Sequence, residues 1–287
     1  HIASEICGRI DLTRFHLIGR VEPAGSGYVN FHLDFSKAGR EILTDAISAG
    51  ERYGLEAARE PRRIIVEHTS ANPSGPLHLG HARNTILGDA LARMLKARGH
   101  RVQTRFYVDD VGKQVAMLAY GYSLLGEPKP VEKPDQWLGL VYACVNCAVQ
   151  IESLNAEISR LREMSDAEKK TAELTRDLDD WTSVARELES IDSTLFHRTL
   201  ESVRSRTEPM QEVEQIVIEY ERGDEKARRL VRQVAQLSLE GIRQTLEQID
   251  VAFDQWDWES DLVWSGEVRE SMQKLASTPF ATVDGLS

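Results

Sequence analysis

The chain has 287 residues, 41% apolar and 28% charged, which gives material for one large or two ordinary cored domains and excludes a disordered tail. No run of eighteen apolar residues occurs, which argues against a membrane span, and the start His1-Ile2-Ala3-Ser4-Glu5 has no basic-then-apolar leader. Three cysteines cannot form a disulfide scaffold, so a reducing, cytoplasmic setting is expected, and a net charge of −11 opposes general polyanion binding.

The charge is unevenly spread. Residues 1–126 hold 16 Lys/Arg and 13 Asp/Glu, whereas residues 127–287 hold 19 and 33. The change falls at Gly126-Glu127-Pro128-Lys129-Pro130, where the prolines stop any helix, so a segment boundary is expected there. The acidic half reads as solubilising surface on a helical region.

In chain order, residues 1–40 look like a small α+β piece. Gly25-Ser26-Gly27 signals a turn, and Tyr28 to Leu33 alternates like a half-buried strand. Ser36 to Gly50 predicts a helix with Ile42, Leu43, Ala46 and Ile47 on one face, followed by a charged connector up to Pro61. Arg63-Ile64-Ile65-Val66-Glu67 is β-branched and continuous, as in a buried parallel strand. Turn chemistry from Ser70 to Pro76 leads into a helix from Leu79 to Arg98, marked by Ile86, Leu87, Ala90, Leu91, Met94 and Leu95 and closed by Gly99.

Val102 to Val108 predicts a second strand, and a further helix runs to about Leu125. Strand, turn, helix and strand with short connections make a βαβ unit with parallel strands. Its ligand edge, at the C-terminal ends of the strands, then carries Glu67–His81 and Asp109–Gln114. Residues 127–250 carry helical stripes through Ile151 to Leu161, Leu174 to Leu188 and Leu230 to Ile249, read as core seams. Phe253 to Trp258 returns to extended structure.

Pro76-Leu77-His78-Leu79-Gly80-His81 lies where the turn opens the helix. Amides at a helix start carry partial positive charge, so phosphate can settle there, and Gly80 permits close approach of a ligand to the backbone. His78 and His81, three residues apart, share a helix face and can both donate to one phosphoryl group. A metal site is the poorer reading, because zinc needs three or four ligands and no third is nearby. Alone, His-x-Gly-His is weak, and two histidines with no task are as good an account.

The run from Val66 to Asn84, with Gly88-Asp89 and Tyr107-Val108-Asp109-Asp110-Val111-Gly112-Lys113-Gln114, closely resembles class I arginyl-tRNA synthetases, and Phe253-Asp254 with Glu259-Ser260 does so more weakly. The resemblance implies an α/β fold: the first half of a Rossmann-type parallel sheet, a mostly helical insertion, and the tail of a small α+β N-terminal domain. The segments would be 1–61 for that tail and connector, 62–126 for the first catalytic half, 127–250 for the insertion and 251–287 for the return to the catalytic fold.

The resemblance also implies roles. His78 and His81 fall on the catalytic signature histidines, and with Pro76 and Gly80 they would bind ATP, brought as MgATP, without a protein-bound metal. Glu67, Ser70 and Asn72 would hold L-arginine, with Asp110 and Gln114 lining the same crevice. Independently, a guanidinium that stays charged at any working pH needs a carboxylate and polar acceptors. The activity implied is arginine–tRNA ligation, with tRNA(Arg) as partner, by a cytoplasmic monomer.

The family's second signature, Lys-Met-Ser-Lys-Ser, is not found, which makes a fragment the expectation. A silent synthetase-like binding module and another His-x-Gly-His nucleotidyl transferase are the alternatives. Lys113 is either a phosphate or RNA contact or a surface lysine. Arg59, Arg62 and Arg63, then Lys96, Arg98, Arg101 and Arg105, then Arg228, Arg229 and Arg232 are candidate RNA contacts or solvated faces. Cys144-Val145-Asn146-Cys147 has redox or half-zinc spacing, but lacks a second pair and is expected to be structural.

Overall fold

The computed structural model describes residues 2–130, 133–162 and 168–278, and the chain divides into two compact units, residues 1–61 with 97–100 and residues 62–96 with 101–287. Residues 279–287 of the expected return segment lie outside the described residues.

In the first unit, α1 (Ile2–Arg9) precedes an antiparallel hairpin of β1 (Ile18–Ala24) and β2 (Tyr28–Leu33), then α2 (Phe35–Ala49). Asp34 caps α2 by accepting from the Lys37 amide at 3.2 Å. Both elements expected here form, but with their apolar residues outward: Phe31, Leu33, Ile42, Leu43 and Ile47 are exposed. The half-buried alternation read for Tyr28 to Leu33 is corrected accordingly.

The second unit contains β3 (Arg63–Glu67), α3 (Leu79–Ala97), β4 (Arg101–Val108), α4 (Lys113–Leu124), α5 (Pro134–Arg162), α6 (Glu168–Ile191), α7 (Ser193–Arg204), α8 (Pro209–Arg222), α9 (Glu225–Glu247), β5 (Gln255–Trp258), α10 (Glu259–Ser265) and α11 (Glu267–Ala276). The sheet order is β3-β4-β5, all parallel, with Val66 beside Thr104 and Phe106 beside Trp256. The segment after the helical stretch thus returns to the sheet started by the βαβ unit. β3 is an edge strand and Ile65 is 58% exposed, which corrects the expectation of a buried strand. A continuous β-branched run reports extended backbone, not which faces neighbours cover.

Central β4 carries the sheet core. Phe106 and Val108 are fully buried with Leu239, Ile242 and Leu246 of α9, and the Trp256 ring stacks on Phe106 at 4.4 Å. On α3 the apolar positions Ile86, Leu87, Leu91 and Met94 are exposed.

α4 to α9 make a helical bundle around Leu118, Tyr122, Leu138, Val141, Cys144, Phe196 and Val234. Asp192 and Asp224 cap α7 and α9, so part of the acidic composition begins helices. Among the described residues α5 is long and apolar enough to cross a membrane, which corrects the exclusion drawn from run length. Its packing gives that apolarity another use, since Leu138, Val141, Cys144, Val145 and Ala148 are wholly buried and α4, α6, α7, α8 and α9 all pack against it.

Candidate active site

The turn after β3 is strained. Thr69 (φ 69°) and Ser70 (φ 26°) occupy left-handed backbone, which a β-branched residue rarely adopts. Side chains and a backbone bridge hold it there. The Ser70 hydroxyl donates to the Glu67 carboxylate and accepts from the Tyr107 amide at 3.0 Å, while Ala71 bridges to Val108. Glu67 and Ser70 are therefore one hydrogen-bonded pair at the C-terminal end of β3.

The two signature histidines meet at the start of α3, with ring centroids 3.9 Å apart. Nδ1 of His78 accepts from the Gly80 amide at 3.0 Å, and Nδ1 of His81 accepts from the His78 amide at 3.2 Å. A ring nitrogen that accepts is bare, so in each neutral ring the proton sits on Nε2. Burial, and then the nearby His78, lower the pKa of His81 below the usual value of 6.5, which favours that neutral donor near pH 7.

Two expectations change here. The His78 and Gly80 amides are taken by imidazoles, so at these positions the Nε2–H groups are the donors left for a ligand. Gly80 makes room for a ring: a Cβ there would stand 2.9 Å from His78 Cε1.

Asn72, Pro76, His78, His81 and Gln114 line one open cleft of about 290 Å³ with Ala71, Ser74, Gly75 and Leu77. That is near the lower end of small-molecule sites. The structure thus gathers five of the nine sequence-derived site residues, four from the Glu67–His81 segment of the ligand edge and Gln114 from the other. Gly80 adjoins this group through His78, and Glu67 and Ser70 stand at the β3 end outside the cleft lining. Two larger hollows, of about 430 Å³ beside α5 and about 660 Å³ on the β3–β4 face, contain no histidine.

Asp110 is placed differently from the expectation. It is 1% exposed and its carboxylate accepts from the Ser260 amide at 3.0 Å, the Ser260 hydroxyl at 2.6 Å and the Tyr220 hydroxyl, with Arg232 Nε at 3.4 Å. It therefore fastens the β4–α4 loop to α8, α9 and α10 and does not line the crevice. Its partners lie more than a hundred residues away in sequence, so local spacing could not show them.

Sequence reasoning passed over Tyr107 and Glu259 as site residues. Each parallel strand is closed by an acid, Glu67 on β3, Asp109 after β4 and Glu259 after β5. Burial, a hydrogen bond with Asp109 and the charges of Asp109, Asp110 and Glu221 push Glu259 up to about 7. Burial first, then the charges of Glu259, Asp109, Asp110 and Glu67, raise the Tyr107 phenol. The end of the sheet is thus rich in negative potential. An acid following each of three parallel strands was a readable signal.

Other candidates resolve into ordinary structure. Lys113 pairs with Glu214 at 3.5 Å, Lys96 with Asp254 at 4.0 Å and Arg105 with Asp257 at 3.3 Å. Arg229 pairs with Glu127, Arg228 lies over the Trp264 ring, and Arg232 belongs to the Asp110 network, so this third basic group is engaged within the fold. Cys144 and Cys147 are free and fully buried, with burial as the main cause pushing them up to about 12 and about 11. Among the described residues no cluster of three or more His, Cys, Asp and Glu side chains has the form of a metal site.

Residues 42–285 match the family described as tRNA synthetases class I (R), catalytic domain. The chain is 43% identical over 265 residues to the arginine–tRNA ligase of Saccharolobus solfataricus, covering 91% of this chain and 41% of that protein. It is 42% identical over 263 residues to the arginine–tRNA ligase of Aeropyrum pernix, covering 90% and 38%. The solved arginyl-tRNA synthetase of Thermus thermophilus superposes with a TM-score of 0.57 at 25% identity, over 99% of this chain and 37% of that one. The chain belongs to the class I arginyl-tRNA synthetase catalytic-domain family. It spans about two fifths of the length of the curated relatives it matches.

Proposed function

We propose that the chain supplies the amino-acid- and ATP-binding part of an arginine–tRNA ligase, which activates L-arginine with ATP and passes it to tRNA(Arg). Residues 62–126 and 251–287 serve as catalytic fold and 127–250 as its insertion, in the cytoplasm and as a monomer, with α5 as bundle core. The observation that carries the reading is the pair of imidazoles with tethered Nδ1 atoms beside one cleft shared with Asn72 and Gln114.

In the first step the arginine carboxylate attacks the α-phosphate of ATP in line, so that a carboxylate oxygen–Pα bond forms as the Pα–O bond to the β-phosphate breaks and pyrophosphate leaves with its electron pair. No enzyme nucleophile is needed, so catalysis consists of positioning and charge stabilisation. His78 and His81 donate Nε2–H to phosphoryl oxygens as negative charge builds on them, where fixed donors act most strongly. Mg²⁺ arrives with ATP and neutralises part of its charge. The Glu67 carboxylate, oriented by Ser70, receives the guanidinium in a region already negative from Asp109.

The reading separates two halves of the site, and crossed substitutions test it by calorimetry. Glu67→Gln is expected to weaken arginine binding while sparing MgATP, and His78→Ala with His81→Ala to do the reverse. Loss of both ligands with either change contradicts the division of roles.

A further inference from the structure

Behind the site lies a line of buried hydroxyls that the reaction does not use directly. His68 Nδ1 is 3.0 Å from Thr69 Oγ1, Thr69 Oγ1 is 2.8 Å from Thr85 Oγ1, and Thr85 Oγ1 is 2.8 Å from the His81 carbonyl. His68, Thr69 and Thr85 are 3%, 1% and 0% exposed.

Proton counting fixes the direction of this line. A carbonyl only accepts, so the single hydroxyl hydrogen of Thr85 goes to His81. Thr69 must then donate to Thr85, and Nδ1 of His68 must donate to Thr69. His68 therefore carries its proton on Nδ1, opposite to His78 and His81, which carry theirs on Nε2. Burial lowers the pKa of His68, consistent with a neutral ring.

The two ends of the line are the two halves of the site. Thr69 shares left-handed backbone with Ser70, which holds Glu67, and such strain persists only where surrounding contacts over-determine it. Thr85, on α3, grips the turn that carries His81.

Given the reading above, we propose that Thr69 and Thr85 are positioning residues, whose hydroxyls lock the strained turn after β3 to the first turn of α3. They thereby set the distance between the carboxylate that receives the amino acid and the imidazoles that receive phosphate. Neither touches substrate. Both act through Glu67–Ser70 and His81.

The test uses the whole chain with isotopically labelled histidine, ring tautomers read by NMR, and MgATP as the probe. The wild type should show Nδ1–H at His68 and Nε2–H at His78 and His81. Thr85→Val should remove the Nδ1–H preference of His68 and weaken MgATP binding about tenfold, the scale of a lost buried hydrogen bond. Thr85→Ser, which restores a hydroxyl, should recover both, and Thr69→Val should reproduce the loss if Thr85→Val fails to fold. An Nε2–H tautomer at His68 in the wild type overturns the proposal. So does Thr85→Val binding MgATP as the wild type does, or Thr85→Ser behaving like Thr85→Val. If wild-type His78 and His81 signals ignore MgATP, the phosphate reading falls and takes the positioning role with it, even with all three tautomers as stated.

Discussion

Gly88→Ala isolates the packing behind the site. In an open helix this change stabilises by about 1 kcal/mol, because alanine restricts the unfolded chain and suits helical backbone. At Gly88 the added Cβ would stand 2.2 Å from His68 Cγ, 2.3 Å from its Cβ and 2.8 Å from its Cδ2. The ring has little room to retreat, being held 3.0 Å from Thr69 Oγ1 and 4.5 Å, centroid to centroid, from Phe253. Overpacking costs about 1–3 kcal/mol and losing the His68–Thr69 bond about 1 kcal/mol more, so the balance is destabilisation of about 2 kcal/mol. That corresponds to a fall in melting temperature of roughly 4–8 °C. All five tryptophans, at 137, 181, 256, 258 and 264, lie in the second unit, so their fluorescence reports that unit's unfolding alone. Gly39→Ala, a helical glycine with open space around it in the first unit, is the control; its melting, followed by far-ultraviolet circular dichroism because that unit holds no tryptophan, should not share the loss. A Gly88→Ala chain that melts at or above the wild-type temperature refutes the packing argument.

Glu259, held near 7 against an ordinary 4.5, keeps a proton in the native state that the unfolded chain has already lost. Its stabilising contribution is complete below about pH 4.5 and fades as pH rises through about 7. Glu259→Gln should therefore match the wild type near pH 4 and melt higher near pH 8; an unchanged wild-type slope across that window contradicts the assignment. For the thiols, a disulfide-exchange reagent should modify Cys7 readily in the native chain, and Cys144 and Cys147 only on unfolding. Three fast thiols would show the bundle core to be open.

Whatever depends on local periodicity was legible. The strand at Arg63–Glu67, the helix after the Ser70–Pro76 turn, the strand ending at Val108 and the extended return at Gln255–Trp258 all follow from residue pattern. The pairing of His78 with His81 follows from a separation of three on a helix, which brings rings together whatever the rest of the fold does. Roles set by distant segments were not legible. Asp110 looked free to meet a ligand until Ser260 and Tyr220 arrived from elsewhere in the chain. Gly80 suggested access for a ligand, yet the neighbour that needs its missing Cβ is the His78 ring. Ile65 read as buried because hydrophobicity marks faces that favour burial without stating what covers them.

The central claim, that two imidazoles act on phosphate through Nε2–H while a separate carboxylate holds the amino acid, is tested most directly by arginine-dependent ATP–pyrophosphate exchange. The comparison sets wild type against His81→Ala in the longest natural polypeptide containing this sequence, with arginine affinity measured alongside. The expected result is an exchange rate reduced about 100-fold, typical of a lost transition-state donor, with arginine affinity within about twofold of wild type. Equal losses in rate and arginine affinity, or exchange at the wild-type rate, would contradict it.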